Sequence, residues 1–173
     1  MIKNMLILSI ALLGFNFAIA QNSVKTSDSK VNFEISNMGF KTVDGNFTGM
    51  TGTINFNPQN LPASSFDVCI DASTVNTENE KRDHHLKEED FFHVEKYPKI
   101  CFKSSSIAKS GESFTVTGTL TMHGVSKTVT IPFTYSDSTF KGKLTIDRYD
   151  YKVGSDGGFM VGREVMLEII CVI

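Results

Sequence analysis

The sequence predicts an all-β fold, a sandwich or a barrel made of short antiparallel strands. Three observations carry this. Apolar and polar residues alternate at period two in one segment after another. Turn signals separate those segments at the spacing of a meander. Only Thr77–Ser104 departs from the pattern, with a charged run that no half-buried strand could accommodate.

From the N-terminus, Met1–Ala20 reads as a cleaved leader: Lys3 is its positive end, Met5–Ile19 its apolar run and Ala18-Ile19-Ala20 its cleavage signal. The run falls short of the ~20 apolar residues of a membrane span. The mature chain is therefore expected to start at Gln21, to reach the periplasm or the medium, and not to span a membrane. Of 173 residues, the leader's 20 leave 153 (21–173), the length of one domain. A formal charge of −2, with no basic cluster beyond Lys81-Arg82, gives no footprint for nucleic acid.

The first strand begins at Lys30, with Val31, Phe33 and Ile35 on one face and Asn32, Glu34 and Ser36 on the other. Asp44-Gly45 signals a tight turn or bulge. Phe47 has odd parity whereas Ile54 and Phe56 have even parity, so the inward face switches between them. Gly49 and Gly52 are the places for that bend, which a sheet needs in order to close on itself. Asn57-Pro58 and Leu61-Pro62 mark a loop, and Phe66, Val68 and Ile70 alternate into the excursion. There Thr77 and Glu80 have capping-box spacing, predicting a helix from about Glu78 through the charged run to Asp90, anchored by Leu86. Tyr97-Pro98 stops it. Ile100 and Phe102 resume the strand pattern. Later strands carry Phe114, Val116 and Leu120; then, past a turn at His123-Gly124, Val129, Ile131 and Phe133; then Phe140, Leu144 and Ile146; and, after the loop Gly154–Gly158, Val165, Leu167, Ile169 and Cys171.

Arg82-Asp83, His85-Leu86, Asp90-Phe91-Phe92, Tyr97-Pro98 and Phe102-Lys103-Ser104 together resemble the R-D-x-H-L…D-F-F…Y-P…F-x-S block of the YceI-like family. Gly118–Val125 is similar to that family's G-x-L-T-x-H-G-x segment, and Phe140–Arg148 with Tyr151–Gly154 to its closing hairpin. Asn37 stands where the family often has His. The resemblance implies an extended eight-stranded antiparallel, lipocalin-like barrel. It also implies that the barrel interior holds a polyisoprenoid or other long-chain lipid, for transport or storage.

The residues set the chemistry against blander readings. His84 and His85 point about 100° apart on a helix, and no metal-ligand spacing occurs, so no metal site is expected. There is no G-x-S-x-G and no Cys with a defined base, so no catalytic residues are assigned. Arg82 reads first as a local ion-pairing residue, beside Asp83 and four residues after Glu78, and Arg148 first as structural; either is second a head-group candidate at a barrel mouth. A Phe-rich interior could be solidly packed or hold one ligand; the resemblance favours the ligand. On that reading the tunnel is lined by Phe33, Ile35, Phe47, Val68, Ile70, Ile100, Phe102, Leu120, Val129, Ile131, Phe133, Leu144, Ile146, Val165 and Leu167. Phe91 and Phe92 close it, and its content is a chain of ~30 carbons bound with no other cofactor. The alternatives are an envelope enzyme acting on a lipid head group and a barrel whose ligand is a protein. A homodimer is compatible with any of these. Finally, if the strands flanking the excursion pair about residue 85, Cys69 and Cys101 stand opposite each other and can bridge, leaving inward-facing Cys171 free. A register off by two leaves all three as thiols.

Overall fold

The computed structural model describes residues 22–37, 41–154 and 161–173. The leader, its cleavage point before Gln21, and residues 155–158 of the glycine-bearing loop lie outside them. Ten strands form one antiparallel sheet: β1 (Asn22–Ser23), β2 (Lys30–Asn37), β3 (Lys41–Phe47), β4 (Thr51–Asn55), β5 (Ser65–Asp71), β6 (Lys99–Ser110), β7 (Ser113–Met122), β8 (Val125–Ser136), β9 (Thr139–Asp147) and β10 (Val161–Val172). Their spatial order is β1-β4-β5-β6-β7-β8-β9-β10-β2-β3.

That order makes the sheet curl. β3 is one margin, and β4 lies at the other beside the β1 stub. Yet four residue steps, at most about 14 Å of chain, join Phe47 to Thr51, so the margins must face each other. The seam is stitched at two levels. Asn46 and Asn76 exchange backbone hydrogen bonds of 2.9 and 3.0 Å. At the other end the Val24 amide donates to Gly52 O (3.1 Å) and the Lys25 amide to Val172 O (2.8 Å).

Ten strands replace the eight expected, for two reasons. β1 has only two residues, and β3 and β4 are halves of one strand bent at residues 48–50. Gly49 (φ 71°) and Gly52 (φ 128°) hold backbone angles that a side chain would strain. Asp44-Gly45 makes neither turn nor bulge. Gly45 pairs with Phe33 inside the β2–β3 ladder, where a Cβ would lie 2.3 Å from the Phe33 ring. Glycine is needed there for space.

The excursion also differs from its prediction. The helix α1 is Glu80–Leu86, and Asn79 caps it by accepting from the Arg82 amide at 3.0 Å. Thr77 forms no capping box, because the segment turns sharply at Glu78 (φ 59°). Buried Thr77 instead hydrogen-bonds to the Asp83 carboxylate through both its amide and its hydroxyl. Residues beyond Leu86 form turns, in which the Phe92 amide donates to Leu86 O at 3.1 Å and folds the two phenylalanines under the helix.

Cys69 and Cys101 occupy directly opposed positions of the β5–β6 ladder and are joined by a disulfide. Cys171 is free and buried.

Candidate functional site

The inward residues of the sheet stack in levels around an apolar cavity of about 470 Å³. On one wall Leu144, Leu167 and Phe33 share a level across β9, β10 and β2. Ile146, Val165, Ile35 and Val43 lie above it, and Gly142, Ile169, Val31 and Phe47 below. On the facing wall Ile70 pairs with Ile100, and Val68 with Phe102 and then Leu120. Val116 and Ile131 face the cavity from β7 and β8, with Phe133 below. Phe91 and Phe92 cover it from the excursion, Phe92 meeting Phe47 edge-on at 5.2 Å between centroids.

Every residue expected to line a tunnel borders this cavity except Val129. Val129 packs against the buried core instead. The β8–β9 ladder covers only Phe133–Ser136, and beyond it the 3₁₀ turn Arg148–Tyr151 packs on both strands.

The two ends of the cavity differ. The lower end is closed by rings: Phe56 meets Phe66, Phe114, Phe133, Tyr135 and Phe140 at centroid distances of 5.1 to 6.1 Å. Cys171 lies there, its thiol raised to about 11 by burial. At the upper end stand the lining side chains with hydrogen-bonding nitrogen or oxygen: Asn37, Thr77, Arg82, His85 and Arg148. His85 and Val161 are both exposed and both border the cavity, so it meets solvent at this end.

The two arginines are used differently. Arg148 is 6% exposed and stacks on Tyr149 at 4.2 Å. It donates to Gly162 O (2.8 Å), Val153 O (2.7 Å), Tyr149 Oη (2.9 Å) and Val161 O (3.4 Å), tying the turn to β10. Four of its five N–H groups are thereby engaged. Arg82 donates from Nε to Thr77 Oγ1 (2.7 Å) and from Nη2 to Thr77 O (2.8 Å). Its other three N–H groups have no acceptor among the described residues. Arg82 does not have the carboxylate ion pair expected locally: among the described residues, the ion pairs involve other groups.

With this geometry in view, the comparisons are direct. Residues 23–173 match the YceI-like domain. The chain belongs to the YceI-like family. It is 35% identical over 133 residues to Protein YceI of Escherichia coli O17:K52:H18, covering 70% of each chain. It is similar in structure to Burkholderia cenocepacia BcnA, with a TM-score of 0.80 at 28% identity over 87% of this chain and 99% of that one. It also resembles the Campylobacter jejuni YCEI protein (TM-score 0.64, 31% identity, 76% and 84% covered). A polyisoprenoid binding domain from Saccharophagus degradans shares the fold, with a TM-score of 0.68 at 18% identity over 88% and 97%. Among the described residues, no helix of this YceI-like protein is long and apolar enough to cross a membrane.

Sequence reasoning left several lining residues out. Phe66, Val116 and Phe140 carried the right parity and could have been included. Met50 and Ile54 lie around the bend, where parity is lost. Thr77 and His85 come from irregular or helical backbone that period two does not describe.

Proposed function

We propose that this protein is an exported carrier that shields one long apolar chain, isoprenoid or acyl, for transport or storage. The observation that carries this is the cavity, apolar along the barrel and, among the described residues, bordered by polar side chains only at its upper end. Family membership and a fold shared with a polyisoprenoid binding domain support it. The arginines at the upper end are held by structural hydrogen bonds, which favours binding over catalysis. The disulfide supports an oxidising compartment, in line with the leader read at Met1–Ala20.

At roughly 0.3 kcal/mol per heavy atom, a chain of ~30 carbons gives about 9 kcal/mol, or sub-micromolar binding, from the apolar tail alone.

Organic extraction of purified protein followed by mass spectrometry tests the reading, with Leu167→Trp as the comparison. Leu167 sits at mid-height, and overpacking there costs ~1–3 kcal/mol. The wild type should release a long-chain lipid, and the folded variant none. A wild type that yields no lipid and takes up none refutes the proposal.

A further inference from the structure

Among the described residues, the upper end of the cavity presents a charge that its neighbours do not use up. Arg82 is held by Thr77 through Nε and one Nη2 proton, which fixes the plane of its guanidinium. Asp83 reaches it only through Thr77, whose hydroxyl donates to Asp83 and accepts from Arg82. His85, one turn along α1, is paired with Asp90 at 3.2 Å. What remains, among the described residues, is a bordering guanidinium with three unengaged N–H groups, at the open end of an otherwise apolar cavity.

We infer that the barrel prefers amphiphiles with an anionic oxygen head, the head at Arg82 and the tail in the apolar cavity below it. This rests on the lipid-carrier reading and narrows it. Phosphate and carboxylate both suit a planar guanidinium, which binds either through two parallel N–H···O bonds. A neutral alcohol does not use the charge.

The test is competition against a fluorescent fatty acid analogue on delipidated protein, with hexadecanoic acid, hexadecan-1-ol, farnesyl phosphate and farnesol. The acid should bind about tenfold tighter than the alcohol, and the phosphate about tenfold tighter than farnesol. Whichever ratio is larger identifies the head. Arg82→Met should abolish the preference; Arg82→Lys should restore part of it. The ratios in the wild type need no variant, so a misfolded Arg82→Met would not shelter the inference. Equal affinity for acid and alcohol, and for phosphate and farnesol, overturns it while leaving the carrier intact. Binding of none of the four overturns the carrier reading as well.

Discussion

Removing the disulfide should have a cost that can be worked out in advance. Cys69 and Cys101 are 32 residues apart in sequence. In the chain-entropy model, a loop of that size lowers the entropy of the unfolded chain by 2.1 plus 1.5R ln n cal/mol/K, or about 12 cal/mol/K, which is about 3.7 kcal/mol at 25 °C. The folded state loses little in exchange, because the two residues sit opposite each other on paired strands whose ladder persists without the bridge. Unfolding a domain of ~150 residues carries about 0.3 kcal/mol/K of entropy, so Cys69→Ala/Cys101→Ala should melt about 12 °C lower. Urea titrations of both proteins would read the same difference as a shift in midpoint, with a larger m-value for the variant, whose unfolded chain is less constrained. Dithiothreitol should bring the wild type to the variant's midpoint and leave the variant unmoved. A double variant within 1 kcal/mol of wild type would refute the argument.

Three further outcomes follow from particular groups. Arg148→Met should destabilise the fold by about 3 kcal/mol by urea titration, since buried carbonyls of the turn and β10 lose a charged donor, whereas exposed Arg163→Gln should cost under about 1 kcal/mol. The Asp71 carboxyl is held below its ordinary value, chiefly by the Ser73 hydroxyl, with the Ser73 amide and Lys99 adding to the effect against partial desolvation. A depressed value contributes stability above the unfolded pKa of ~3.9 that is lost as pH falls through the folded value, so Asp71→Asn should flatten the decline in urea midpoint below about pH 4. With its thiol near 11, Cys171 should react with iodoacetamide at pH 8 at least ~100-fold more slowly in the native protein than in urea. Denaturing, non-reducing titration should count one thiol; native labelling within tenfold of the unfolded rate would contradict the burial.

Much of the barrel was legible because period two is a direct image of strand geometry. Phe33, Leu144 and Leu167 share a level because each was already on the apolar side of an alternating segment. The disulfide register was legible for a similar reason: a hairpin-like pairing about one residue fixes which numbers oppose each other. Gly49 and Gly52 marked the bend because only glycine tolerates those backbone angles cheaply. The failures share a cause, which is that local signals do not show what approaches from a distance. Asp44-Gly45 looked like a turn, but the glycine is there for the Phe33 ring on the neighbouring strand. Thr77 looked like a cap, but it was taken up by Asp83 and Arg82, six and five residues on. Val129 had correct parity, yet parity cannot say that β8 parts from β9 at that height.

The ring cluster around Phe56 turns the barrel into a sleeve sewn shut at one end. A guest in such a sleeve can leave only by the route it entered, head leading and tail last. On the carrier reading, whatever receives the lipid meets the polar end first, and can grip it while the greasy remainder is still out of water.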